Sequence, residues 1–296
     1  MEIVRTLLLF FDGIGIGRDD PETNPFAAAG VRRLAPLAGR KPGDGCAFRP
    51  LDATLGVPGL PQSATGQTTL LTGVNAARLA GRHLPGLPGP SLRRLLEGDS
   101  LFSRLVKGRR RPTFANAYTP GHLEAKRPRW SASTRMVRAS GVPFRMLDEE
   151  GRRGEALFHD WAGDTPWSRS LGAPVHDAGH AAGILASLLE QHDLVFYEYF
   201  LTDIAGHRGA REARLVQARR AEELVDAAVD ALDLSRSRLV VVSDHGNLEE
   251  SHHDRHTLNP APLLAWGASA ADLVSRVASF EDLTPKLGSD ITGVTP

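Results

Sequence analysis

Three short runs of aliphatic and aromatic residues, each leading into a residue able to ligate a metal, set the tightest limit on how this chain folds. Ile3 to Phe11 ends at Asp12-Gly13, Leu194 to Phe200 precedes Asp203-Ile-Ala-Gly-His207, and Leu239 to Ser243 ends at Asp244-His245. Near-continuous apolar runs of this length read as strands buried on both faces, which belong to parallel sheets covered by helices. In such open sheets the chemistry collects outside the carboxyl ends of the strands.

The intervening segments agree with that class. Helical spacing runs through Ser91 to Lys107, His180 to Gln191, Arg211 to Leu232 and Ser269 to Val277, and a helix starting just after Ser63 carries Thr68 to Ala80. Thr113 to Tyr118 and Leu263 to Trp266 are further strand candidates, while residues 18 to 62 are rich in Pro and Gly and read as irregular. The alternation stops between Pro120 and about Val175, a stretch that holds Trp130, Trp161 and Trp167 and many arginines. The expectation is an α/β/α sandwich with a mostly parallel central sheet. It forms one domain over residues 1–296, with a small inserted cover over 119–176.

Bulk properties narrow the class of partner. With 296 residues, 41% of them hydrophobic, the chain can bury a large core. Lys plus Arg (35) balances Asp plus Glu (35), so no global field favours nucleic acid or an anionic membrane. The short basic run Lys107 to Arg111 reads as a solvated element end. Cys46 stands alone, which excludes an internal disulfide and fits a reducing compartment. Glu2 and Arg5 interrupt the first apolar run and no small-residue cleavage site follows, so a cytoplasmic protein without a membrane span is expected.

Asp203 and His207, spaced i and i+4, converge on one ion if the segment is helical. Asp244 and His245, adjacent at a strand end, diverge toward two neighbouring ions, and His256 sits in Arg255-His-Thr-Leu-Asn-Pro260. Ser63, three residues before Gly66 at the expected start of a helix, has backbone N–H groups and the positive end of the dipole beside it, which suits attack on a phosphate. Singly, each has a bland reading: a helix N-cap for Asp203 or Ser63, a turn for Asp244, an exposed loop histidine for His256. Jointly they point to one binuclear metal site. Gly13-Ile-Gly15-Ile-Gly17 lacks the spacing and the acidic partner of a dinucleotide site.

These stretches together resemble the alkaline phosphatase superfamily, in its branch of cofactor-independent phosphoglycerate mutases and phosphopentomutases. Asp12 in Asp-Gly-Ile-Gly-Ile-Gly, Ser63-Ala-Thr-Gly66, Asp203-Ile-Ala-Gly-His207, Asp244-His-Gly-Asn247 and His256-Thr-Leu-Asn-Pro260 carry the resemblance, over roughly residues 1 to 80 and 178 to 296. It implies two divalent ions, Mn²⁺ or Zn²⁺. One would be held by Asp203, His207 and His256, the other by Asp12, Asp244, His245 and the Ser63 oxygen. It further implies Ser63 as nucleophile; Thr65 is the rival by residue type, and the register counted back from Gly66 favours Ser63. Cys46-Ala-Phe-Arg49 lacks the internal proline of a sulfatase signature.

The chain departs from the branch in two places. Gln67 stands where a histidine is common, and the stretch between Val74 and His180 is much shorter than the cap of a full-length phosphoglycerate mutase and lacks its arginine-rich phosphate-binding motif. A mutase must shield its phosphoenzyme from water, and a reduced cover does that less well. The expectation is therefore a phosphohydrolase acting on a small-molecule phosphate ester through phospho-Ser63. A phosphomutase of phosphoglycerate or phosphopentose type is the alternative, and a non-catalytic metal-binding protein the third possibility. Arg135 and Arg138 in the cover are candidate substrate contacts; the oligomeric state is left open.

Overall fold

The first apolar run becomes a central strand because hydrophobic layers cover both of its faces. The computed structural model describes residues 3–126 and 129–293; Met1 and Glu2 before that run, and Arg127 and Pro128 of the expected cover, lie outside them. The strands in chain order are β1 (Arg5–Phe11), β2 (Ala47–Leu51), β3 (Pro112–Phe114), β4 (Ala117–Tyr118), β5 (Arg145–Met146), β6 (Leu194–Tyr199), β7 (Ser237–Val242) and β8 (Ala261–Gly267). Six of them form one sheet in the order β2-β8-β7-β1-β6-β3, and β4 and β5 pair separately. β7, β1, β6 and β3 run parallel, with Leu7 level with Val195 and Leu239, while β8 is antiparallel to both its neighbours.

Alternation along the strands divides the core into two layers. Leu7, Leu9 and Phe11 of β1 face the helices Pro25–Ala29, Ala178–Gln191 and Arg211–Ala231, whose Phe26, Leu185 and Leu224 are buried in the same cluster. Leu8 and Phe10 face the opposite layer, where Leu70, Leu105, Met136, Leu273 and Leu287 come from five further helices. The expected α/β/α sandwich with a mostly parallel sheet is the fold. No helix among the described residues is long and apolar enough to cross a membrane.

Several element bounds differ from the sequence reading for local reasons. Residues 18 to 62 are not irregular throughout. Asn24 caps the Pro25–Ala29 helix, a 3₁₀ turn spans Ala35–Ala38, and β2 closes the sheet as an edge strand, where Pro50 is tolerated. The helix from Ser63 stops at Thr72 because Gly73 turns left-handed, and Ala76–Ala80 is a new helix capped by Asn75. Ser91 to Lys107 is two helices, Pro90–Gly98 and Leu101–Lys107, parted by the Ser100–Ser103 capping box. Thr113 to Tyr118 splits at Asn116, its first half joining β6 and its second pairing with β5.

The segment expected as a cover packs in two ways. Ala132, Met136 and Val137 of the Ala132–Ser140 helix are buried in the main helical layer. Leu147, Ala156, Phe158 and Ala173 form a small cluster of their own with Ala117.

Candidate metal centre

β1 lies between β6 and β7, so the residues that follow these three parallel strands meet at one edge of the sheet. Asp12 continues β1, its N–H donating to the Tyr199 carbonyl, 3.0 Å. Asp203 lies in the first turn of the Leu201–Arg208 helix beyond β6, with His207 one turn later. Asp244 and His245 follow β7 and are fully buried. Two backbone approaches make this possible: a Cβ on Gly13 would come within 2.7 Å of Asp203 Oδ1, and one on Gly66 within 2.8 Å of the Asp244 carbonyl.

The seven ligand candidates of the sequence converge. Ligand atoms of Asp12, Asp244 and His245 all lie within 4.8 Å of one another, as do those of Asp203, His245 and His256. His207 Nε2 is 3.4 Å from Asp203 Oδ1 and 2.9 Å from His256 Nε2. His245 Nε2 stands at the centre, 2.9 Å from Ser63 Oγ, 3.3 Å from Asp12 Oδ1 and 3.5 Å from Asp244 Oδ2. Ser63 opens the ten-residue helix Ser63–Thr72. Thr65 is buried, and its hydroxyl donates to the Gln62 carbonyl at 3.0 Å.

The donor set fits divalent cations. Asp12 Oδ1 and Asp244 Oδ2 are buried acceptors without a hydrogen-bond donor, a costly state for a carboxylate that a cation relieves. His256 Nδ1 bonds the Pro61 carbonyl at 2.6 Å and His207 Nδ1 the Asp254 carbonyl at 2.7 Å. Each carbonyl fixes the ring proton on Nδ1 and leaves Nε2 as a lone pair, the arrangement of a metal-binding imidazole.

Electrostatics without a metal show what such a cation would balance. Burial, then Asp244 and Asp203, holds the Asp12 carboxyl well above the usual range. Burial and Asp203 also raise Asp244, against the opposing charge of His245. For His245 burial disfavours the charge, but Asp244 and Asp12 outweigh it and lift the ring to about 10. Burial, together with charged His245 stacked 3.8 Å away, pushes His256 down to about 4.

Three supporting residues escaped the sequence reading. Asn247 Nδ2 donates to Asp203 Oδ1 at 2.9 Å, and Gln67 Nε2 to Asp12 Oδ2 at 2.9 Å. Fully buried Glu249 accepts from the N–H groups of Gly15 and Asn247, both 2.8 Å, from the Thr257 hydroxyl, and from Asn259 Nδ2 at 3.0 Å. It thereby ties together the loop after β1, the loop after β7 and the loop carrying His256. Asn247 and Gln67 stood inside or beside the quoted motifs; Glu249, among the polar residues of Asn247 to His253, gave no signal.

A cleft of about 580 Å³ opens onto Asp12, Ser63 and Asp203. Arg135 and Arg138, expected as substrate contacts, are not in its lining; their guanidinium groups stack on Trp130 at 5.6 and 4.5 Å, and Arg135 pairs with Glu97. Arg129 lines the cleft instead. Of the tryptophans only Trp167 lines it, and Trp161 is buried in the core under Arg220.

Comparison with known proteins agrees with this architecture. The Metalloenzyme superfamily family model matches residues 166–290. A 2,3-bisphosphoglycerate-independent phosphoglycerate mutase of Desulforudis audaxviator is 32% identical over 106 residues, 33% of this chain and 21% of that protein. The match thus spans about a fifth of that relative's length. Among solved structures, the PH0037 protein of Pyrococcus horikoshii superposes with a TM-score of 0.60 at 16% identity, covering 99% of this chain and 98% of that one. Alkaline phosphatase from the Antarctic bacterium TAB5 gives 0.57 at 9% identity, with both chains fully covered. The family match thus covers the Asp203, Asp244 and His256 segments, and over its whole length the chain has a fold like that of the TAB5 alkaline phosphatase.

Proposed function

We propose that the protein is a metal-dependent phosphohydrolase that cleaves a small-molecule phosphate ester through a phosphoserine at Ser63. The observation that carries this reading is the position of the Ser63 hydroxyl. It stands at a helix N-terminus, 2.9 Å from His245 Nε2 and in the lining of the cleft. One ion would be held by Asp203, His207 and His256, and the other by Asp12, Asp244, His245 and Ser63, with Mn²⁺ and Zn²⁺ both suited to this oxygen and imidazole set. Such ions supply Lewis acidity, lower the serine pKa and neutralise charge on the phosphoryl oxygens.

The chain's own groups do the rest. The first N–H groups of the Ser63–Thr72 helix have no intrahelical carbonyl to bond and are free for phosphoryl oxygens. Attack by Ser63 Oγ forms a bond to phosphorus as the bond to the substrate alcohol breaks, and the alcohol leaves with a proton. Water then attacks the phosphoserine, serine regains its proton and inorganic phosphate departs. Asn247 and Gln67 orient the Asp203 and Asp12 carboxylates. The 119–176 segment acts as the cover, supplying Thr119, His122, Trp167 and Leu171 to the cleft wall.

The name of the matched relative favours a second reading, return of the phosphoryl group to the substrate. A screen of phosphomonoesters, phosphodiesters and phosphonates with added Mn²⁺ or Zn²⁺, scoring both phosphate release and isomerisation, decides between them. Phosphate release abolished by Ser63→Ala supports the hydrolase. Isomerised ester without phosphate release replaces it with a mutase, and metal binding without turnover of any ester leaves a non-catalytic metal protein.

A further inference from the structure

Part of the cleft lining is apolar and aromatic, supplied by Leu87, Phe158, Trp167, Leu171, Phe200 and Ile204. Ten large hydrophobic side chains are markedly exposed on the described surface, and four of them, Leu87, Trp167, Leu171 and Ile204, line this one cleft at 39% to 44% exposure. Exposed apolar groups gathered in one concavity mark a binding surface. Trp167 is backed by other rings: its centroid lies 4.6 Å from Phe158, 6.0 Å from Phe200 and 6.3 Å from His159, the last nearly parallel at 29°.

His159, beside Trp167, is an oriented polar point in this lining, whereas the Tyr118, Thr134 and Ser131 hydroxyls bond one another. Asn116 Oδ1 accepts from the Glu198 N–H at 2.8 Å and its Nδ2 donates to the Glu198 carbonyl at 2.7 Å, which fixes the orientation of the amide. The same Nδ2 donates to His159 Nδ1 at 3.1 Å, so the ring proton sits on Nε2. No described group accepts from that nitrogen. Burial keeps the ring neutral, its pKa pushed down to about 3. Arg129 is the one Lys or Arg in the lining among the described residues. Set against Trp167, Leu171 and Ile204, a polyhydroxylated or carboxylated alcohol would meet a ring and aliphatic carbons that leave its polar groups poorly paired.

We propose that the cleft takes phosphate esters whose alcohol carries a flat aromatic group, which stacks against Trp167 between Leu171 and Ile204 while the phosphate reaches Ser63. This deepens the phosphohydrolase reading and rests on it for the direction in which the ester enters. Loss of aromatic stacking of this kind weakens binding about twofold to tenfold, beyond the effect of the area buried.

The test compares 2-naphthylmethyl phosphate with glycerol 1-phosphate, both esters of primary alcohols, so that the reactivity of a phenolate leaving group does not enter. In parallel, calorimetry measures binding of 2-naphthylmethylphosphonate and 3-hydroxypropylphosphonate to the metal-loaded protein. The expected result is a kcat/KM at least tenfold higher for the naphthyl ester and tighter binding of the naphthyl phosphonate. Trp167→Ala should remove both preferences, acting on KM and Kd rather than on kcat; Leu171→Ser, on the same wall, is the second variant should the first fail to fold. Equal or lower kcat/KM for the naphthyl ester overturns the inference while leaving the hydrolase intact. Naphthyl-selective binding with no ester hydrolysed sustains the aromatic site and removes the hydrolase instead. Selectivity that survives both substitutions also overturns it.

Discussion

The Nε2 atoms of His207 and His256 face each other at 2.9 Å while both Nδ1 atoms are tied to backbone carbonyls. Rings so tied turn their Nε2 atoms on each other, an arrangement that a cation between them would satisfy. His256→Ala or His207→Ala should therefore lower the metal content by about one ion per chain and weaken retention of that ion about 10-fold to 100-fold or more. Elemental analysis after gel filtration checks this. Two full equivalents in both variants would remove these histidines from the ligand set.

Metal uptake should expel protons. His245, lifted to about 10 by Asp244 and Asp12 despite its burial, carries a proton at neutral pH in the metal-free chain, and a ligating imidazole cannot keep it. Affinity therefore rises with pH toward 10 and falls as the solution is acidified. Calorimetric titration of the metal-free protein with Mn²⁺ or Zn²⁺ in buffers of different ionisation enthalpy measures the release. A heat independent of buffer contradicts the prediction.

Ser63→Ala should lower kcat by on the order of 10³-fold to 10⁶-fold, the range for removing a nucleophile. Thr65→Val, which alters a hydroxyl engaged with the Gln62 carbonyl, should leave kcat within about threefold and act on stability by about 1 kcal/mol. Mass spectrometry of a quenched reaction should find the phosphoryl group on the peptide containing Ser63. Its appearance on Thr65 would falsify the assignment.

Glu198, buried at the end of β6, has its carboxyl raised from 4.5 to about 7 by burial, with the Ser133 hydroxyl donating to it and pulling the other way. Between those values the folded chain holds a proton that the unfolded chain has lost. The stabilising contribution is thus complete below about pH 4.5, declines as pH rises to about 7, and is flat above. In the metal-free protein it amounts to roughly 3 kcal/mol over that interval. Urea denaturation of wild type and Glu198→Gln should show the wild type losing ground to the variant as pH rises; a constant difference counts against it.

Glu249→Ala leaves the N–H groups of Gly15 and Asn247 and the polar groups of Thr257 and Asn259 without their acceptor in a buried site. At about 1–3 kcal/mol for a buried donor left unpaired, the loss should be at least about 3 kcal/mol. Because this carboxylate joins three ligand-bearing loops, metal affinity should fall with it, although Glu249 is not among the ligand candidates. Thermal melts with and without metal report both effects. A variant of native stability and metal content would make the clasp dispensable.

The strands that build the site were legible because each is buried on both faces and so writes a continuous apolar word, as in Leu7 to Phe11 or Leu239 to Val242. The ligand types near their ends were legible only jointly: each alone reads as a cap, a turn or a loop residue, and their recurrence after three such runs points to a metal. Tertiary context hid the rest. Pro285 inside Phe280–Thr292 and Pro50 in β2 contradict local propensity, and only their surroundings permit them. Glu198 breaks an apolar strand and was itself a signal of a buried polar network. The roles of Arg135 and Arg138 depended on where Trp130 lay, which no local pattern in the sequence encodes.

The place of β1 in the sheet also governs how this protein is born. Its rungs are completed by Leu194 to Tyr199 on one side and Ser237 to Val242 on the other, and the loop that follows it is clasped by Ser243, 229 residues downstream of Ile14. On the ribosome, β1 is made well before β6 and β7 and waits for both of its neighbours. Contacts of such sequence separation make folding slow and leave an unpaired edge open to aggregation. The order in which the strands are made thus leaves β1 unpaired through much of the synthesis of this fold.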